Sequence, residues 1–137
     1  MFHENAVVVI GNGESRSKLD LNSYRKKITL IGCNAIHRDL RVHHLVCCDQ
    51  RMVREVTSTK RSSKIPFIYT RERYFHDFNK IEKNKRVQLV PSIPYEGTLK
   101  PDQAEHWGSG PYAILLGATL GFETVHIVGF DLYGVNY

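Results

Sequence analysis

The residues of this 137-residue chain that could do chemistry gather at turns bordering apolar runs. Gly11-Asn12-Gly13-Glu14-Ser15 follows the run Ala6-Val7-Val8-Val9-Ile10. Asn34 follows a second run, Asp49 a third, and Asp131 and Tyr133 the last one. Ser109-Gly110-Pro111 opens an apolar stretch that continues to Leu120. Glycine and serine turns expose backbone N–H groups, and where such a turn leads into a helix those groups and the helix dipole favour a phosphate. Asn12 and Asn34 each donate and accept, which suits a phosphate oxygen or a base edge. Gly11, Asn12, Gly13, Ser15, Asn34, Asp49, Ser109, Gly110, Asp131 and Tyr133 therefore read together as a nucleotide-binding set.

Other chemistries fit less well. Read as G-x-G-x-x-G, the first turn has Arg16 at its sixth position, and it lacks the lysine of a P-loop, so neither a nicotinamide cofactor nor ordinary ATP cleavage is supported. Gly-Asn-Gly also serves as a plain structural turn. Among seven histidines, His106 alone stands on the segment just before the second turn, where an imidazole titrating near pH 6.5 could act as general base; it reads equally as a loop residue packing on Trp107. No histidine has a partner at metal-ligand spacing, so no metal is expected. Ser15, Ser17 and Ser109 lack the G-x-S-x-G setting of a hydrolase nucleophile. Cys33, Cys47 and Cys48 lie in or beside apolar runs and read as core thiols. Tyr112, Tyr133, Tyr137 and Trp107 could stack on a base or belong to the core or to a dimer surface.

The elements that must position these residues follow from periodicity. Apolar, β-branched runs predict strands at 6–10, 28–31, 45–48, 65–69, 86–90 and 125–128. A short helix or turn is expected over 15–24, and helices over 51–59, where Met52, Val53 and Val56 recur at helical spacing, and around Tyr74, Phe78 and Ile81. Residues 113–120 are apolar on all sides and predict a buried helix, with Ser109 as its cap, Pro111 at its first helical position, and Gly117 and Ala118 allowing close approach to a sheet. Pro91, Pro94, Gly97 and Pro101 make 91–107 a long loop, the kind that usually serves function. Strands alternating with helices predict an α/β fold: a Rossmann-like three-layer sandwich with a mostly parallel sheet of about six strands, forming one domain over 1–137. Ligands of such sheets bind beyond the carboxyl ends of the strands, where the polar tips lie.

Composition is that of a soluble globular protein, with 42% hydrophobic and 24% charged residues. No run approaches the ~18 apolar residues of a membrane span, and the first residues lack the pattern of a signal peptide, so a cytoplasmic location is expected. The net charge of +5 is concentrated in residues 51–86, which hold eleven Lys/Arg against four Asp/Glu. Such a segment attracts nucleic acid or an anionic substrate, or simply forms a solvated helix face and loops.

Taken in order, Gly11-Asn12-Gly13-Glu14-Ser15, Gly32-Cys33-Asn34-Ala35-Ile36, and Ser109-Gly110-Pro111-Tyr112 through Leu120-Gly121-Phe122 to Val128-Gly129-Phe130-Asp131-Leu132-Tyr133 resemble the nucleotide-binding domain of bacterial sialyltransferases of the Campylobacter lipooligosaccharide type. The same blocks recur in motility accessory factor glycosyltransferases and in 6-hydroxymethylpterin diphosphokinase-like proteins, and residues 51–100 match poorly. The resemblance implies a domain that binds the CMP of a CMP-sugar donor, with Asn12, Asn34 and Ser109 holding the donor and Tyr133 bonding the leaving phosphate. It also implies homo-oligomers. Asp49 stands where the family has asparagine, and the family's histidine base falls beyond Tyr137, where the sequence ends, so transfer would need another base. A diphosphokinase-like role would instead need ATP and Mg²⁺, with Asp49 and Asp131 as the metal carboxylates. A third expectation is a non-catalytic module that binds a partner or nucleic acid through residues 51–86.

Overall fold

Strand β1 (Ala6–Ile10) is apolar at every position because it is covered on both faces. Ala6, Val8 and Ile10 face one hydrophobic cluster and Val7 and Val9 the other, all five at most 1% exposed. A computed structural model describes residues 5–78, 84–93 and 107–131. In it β1 is joined by β2 (Thr29–Cys33), β3 (His44–Val46), β4 (Phe67–Thr70), β5 (Val87–Leu89) and β6 (Thr124–Val128). The six strands form one sheet in the order β5-β4-β3-β2-β1-β6, and every pairing is parallel.

The chain steps outward from β1 to β5, then returns to place β6 on the other side of β1. The return also changes face. Helices α1 (Leu21–Tyr24), α2 (Gln50–Ser58) and α3 (Glu72–His76) accompany the outward steps, and the residues they bury (Leu21, Val53 and Val56) or partly bury (Tyr74) join the cluster of Ala6 and Val8. Helix α4 (Ser109–Thr119) lies on the opposite face, where Tyr112, Ala113 and Leu116 join Val7 and Val9. Direction and face reverse together, as a constant handedness of crossover requires. The product is the Rossmann-like α/β sandwich, and the reversal creates a topological switch point between β1 and β6.

Local expectations fare unevenly. The first strand has the bounds its sequence predicts, and the others move by a few residues because the ladder follows the neighbour's register, not apolarity alone. The predicted turn over 15–24 resolves into a 3-10 helix, Glu14–Lys18, and the single turn of α1. The α4 helix is not buried all round. Gly117 does lie close on the sheet, where a Cβ would sit 3.2–3.3 Å from Val9, Val125 and Val7, but Ala118 and Leu120 are exposed. Only one layer packs on α4 among the described residues, so its outer side has no cover there. Strand β6 is correspondingly an edge, with Ile127 half exposed. Ile81 and most of the 91–107 segment lie outside the described residues.

No helix among the described residues is long and apolar enough to cross a membrane.

Candidate functional site at the carboxyl edge of the sheet

Three loops meet where β1, β2 and β6 end. The glycines of the first loop are required by protein packing before any ligand is considered. The N–H of Gly11 donates to Val128 O at 2.8 Å and that of Gly13 to Gly129 O at 2.7 Å. A Cβ on either glycine would stand 2.5 Å from Gly129 O. Gly110 is likewise confined, since its Cβ would meet the Phe130 ring at 2.9 Å. The close approach that these glycines permit is therefore between the loops after β1 and β6, and between α4 and Phe130.

Ser15 and Asp131 tie the same two loops. The amide of Ser15 donates to Asp131 Oδ2 at 3.0 Å and its hydroxyl to Oδ1, and these bonds hold the Asp131 carboxyl below the usual carboxylate range. Both residues are engaged with each other across the switch point.

Asn34 is the centre of a second cluster. It follows β2 with φ +53°, the one described non-glycine residue in the left-handed region, where asparagine is tolerated better than most residues. Its Oδ1 accepts from the Ser109 hydroxyl at 2.8 Å, and that hydroxyl in turn accepts from the N–H of Cys48 at 3.0 Å. Ser109 is only 6% exposed, so this chain is a buried strut between the ends of β2 and β3 and the first turn of α4. With Oδ1 occupied, the Nδ2 amide of Asn34 has no partner among the described residues. Asn12 lies alongside, its Nδ2 donating to Cys33 O at 2.8 Å, which leaves Oδ1 as an acceptor.

The cap of α4 is Gly108, with no side-chain hydrogen bond to the first turn. Ser109 is the first helical residue and not the cap: its hydroxyl serves Cys48 and Asn34. The N–H groups of Ser109 and Gly110 thus belong to an uncapped helix start beside Asn34, and Pro111 contributes none. Asp49 does cap, accepting from the N–H of Arg51 at 3.1 Å at the start of α2, and it is exposed. Arg71, the first residue after β4, brings a guanidinium to the same edge and donates through Nε to Cys48 O at 3.1 Å. Sequence reasoning counted Arg71 only as part of a basic segment. Its position directly after an apolar strand was the available signal.

His106 and Tyr133 lie outside the described residues, as does Tyr137. The described histidines stand elsewhere: His37 is held by Ser62 and Glu55, His43 and His44 lie at the amino end of β3, His76 ends α3, and His126 lies within β6. Tyr112 is 2% exposed and packs at 5.4 Å, ring centre to ring centre, on Trp107, so these two aromatics build the core under α4. The three cysteines are buried thiols, and burial pushes Cys33 up to about 11. No group of three or more His, Cys, Asp or Glu that could hold a metal ion occurs among the described residues.

Fold and site together define a Rossmann-like α/β domain with a polar cluster at its switch point. Comparisons with protein-family models, with curated proteins and with solved structures found no match to the chain.

Proposed function

We propose that this edge of the sheet binds the nucleotide of a CMP-sugar donor and that the protein is a sialyltransferase-like glycosyltransferase domain. The observation that carries the reading is the Asn34–Ser109 strut. It fixes an asparagine in a costly backbone conformation at the carboxyl end of β2 and leaves its amide donors without a partner among the described residues. A polar residue held in such a conformation at the carboxyl edge, one strand from the switch point, suits a ligand clamp. The uncapped start of α4 and the nearby Arg71 supply positive potential for a phosphate, and Asn12 Oδ1 supplies an acceptor for a base amino group or a ribose hydroxyl.

In the transfer step the acceptor hydroxyl attacks the anomeric carbon, the bond from that carbon to the CMP phosphate oxygen breaks, and a base takes the hydroxyl proton. His106 is the base in this proposal. Self-association over β6 and the outer side of α4 belongs to the same reading, supported by the exposure of Ile127 and Leu120.

A diphosphokinase-like reading needs Asp49 and Asp131 on one Mg²⁺. They follow β3 and β6, three strand spacings or roughly 14 Å apart, and both make other bonds. The geometry supports the donor-site reading better.

Calorimetry or a thermal-shift series with CMP, CMP-sialic acid, UDP- and GDP-sugars, and ATP with Mg²⁺ tests it. Selective stabilisation by cytidine nucleotides, lost in Asn34→Ala, is the expected result. Stabilisation by ATP and Mg²⁺ alone would favour phosphate transfer, and no shift with any of them would remove the proposal.

A further inference from the structure

Because β2, β3, β4 and β5 are parallel neighbours, their amino ends stand side by side along one edge, opposite the Asn34 cluster. The turn before each strand delivers cations to that edge. Lys26 and Lys27 precede β2, Arg41 precedes β3, Arg61 and Lys64 precede β4, and Lys85 precedes β5. All six are exposed, and none has a carboxylate within ion-pair distance among the described residues.

The four turns are also mutually close. Arg25 and Arg41 both lie near enough to His43 to depress its pKa, after the larger effect of burial. Arg41 and Arg61 wall a half-open depression of about 240 Å³, with Arg38, Asp39 and Ile65 among its other walls. Arg86 donates to Ser62 O and Ile65 O, each at 2.9 Å, holding the turn before β5 against the turn before β4. Two carboxylates beside these turns are already compensated: Asp39 pairs with Arg16 at 2.9 Å, and Glu55 with Arg38 and His37. Glu123 precedes β6, two strands beyond β2 in the sheet.

We propose that this amino-terminal edge is a binding surface for the phosphate backbone of a nucleic acid. A row of uncompensated lysines and arginines across four strands spans roughly 14 Å, room for about four phosphates of one strand of a duplex. The mixture of flexible lysines with arginines fits contact with the phosphate backbone, and Phe67, exposed at the start of β4 and stacked on His44, stands among them. The surface differs from the basic segment counted along the sequence. Lys26, Lys27 and Arg41 lie outside residues 51–86, whereas Arg51 and Arg71 lie inside that segment and stand toward the opposite edge. The proposal uses no residue of the candidate donor site and stands independently of it.

Fluorescence anisotropy of a labelled oligothymidylate and of a mixed-sequence duplex, titrated with protein between 50 and 200 mM salt, is the test. Binding should weaken steeply with salt. The Arg41→Gln/Lys64→Gln double variant should lose roughly ten-fold in affinity at the lower salt, with the salt slope reduced by about 0.7–0.9 per cation removed. Arg51→Gln should bind as the parent does, and melting temperatures of all three proteins should agree. Absence of salt-dependent binding would overturn the proposal, as would equal losses in Arg51→Gln and in the edge variants. So would binding of the edge to anionic phospholipid vesicles without any to the oligonucleotides.

Discussion

The hydroxyl of Ser109 donates to Oδ1 of Asn34 at 2.8 Å, joining the first turn of α4 to the end of β2 across 75 positions of sequence. The same oxygen accepts from the Cys48 amide, so one buried hydroxyl holds three loops together. Ser109→Ala leaves a buried N–H and an asparagine oxygen without partners and should cost about 1–3 kcal/mol in chemical denaturation. Asn34→Gly keeps the left-handed backbone without strain and removes the clamp, so it should lose nucleotide binding at less cost in stability than Asn34→Ala. Equal stability of the two Asn34 variants would mean that the backbone relaxes there.

Gly13→Ala places a Cβ against Gly129 O and the Asp131 carboxyl, with backbone on one side that has nowhere to go. A loss of about 2–3 kcal/mol is expected. Gly108→Ser, at a cap position with open space around it, should be neutral or gain a few tenths of a kcal/mol. Paired thermal melts of the two variants check the contrast.

Glu55 sits beneath Arg38 and His37, and the Arg38 hydrogen bonds above all pull its pKa from an ordinary 4.5 to about 2. A folded pKa below the unfolded one stabilises the fold fully above the unfolded value, and that contribution disappears as pH falls through the folded value. The melting-temperature gap between the parent and Glu55→Gln should therefore be largest near neutrality and shrink between about pH 5 and pH 2. A gap that stays constant over this range would show that Glu55 gains nothing from its charge.

His44 stacks on Phe67 at 5.2 Å and bonds the Tyr69 hydroxyl through Nδ1 at 2.8 Å. Burial, then the neighbouring His43, lowers its pKa from 6.5 to about 4. Here the unfolded chain takes up the proton first, so the fold loses stability as pH falls from about 6.5 to 4 and gains it back as pH rises. The imidazole resonance of His44 should titrate near pH 4, and His44→Gln should flatten that part of the stability curve. A titration near 6.5 would contradict the burial.

Cys33, Cys47 and Cys48 are buried, and the Cys33 and Cys47 thiols are pushed upward by desolvation. In the native protein all three should react with a thiol reagent only at the rate of unfolding, and promptly in denaturant. Rapid labelling of any one in the native state would place it at an accessible surface.

Much of the architecture is written locally. Five consecutive β-branched or small apolar residues at 6–10 demand cover on both faces, and the repeated change from strand to helical spacing demands a parallel α/β sheet. The polar tips at Asn12, Asn34, Asp49 and Asp131 follow from the same pattern, since a strand that ends at the ligand edge ends in residues that face water.

Strand order is not local, and it decided everything that depends on which tips are neighbours. Setting β6 beside β1 is what brings Asp131 to Ser15 and makes Gly11 and Gly13 necessary for close backbone contact. Crossing α4 to the other face is what delivers Ser109 to Asn34 and leaves one side of a largely apolar helix uncovered among the described residues. The parallel sheet likewise sorted the positive charge by edge, so that cations far apart in sequence, such as Lys26 and Lys85, share a surface that neighbours in sequence, such as Arg51, do not. A periodicity fixes which face of an element is apolar. Only packing fixes which other element that face meets.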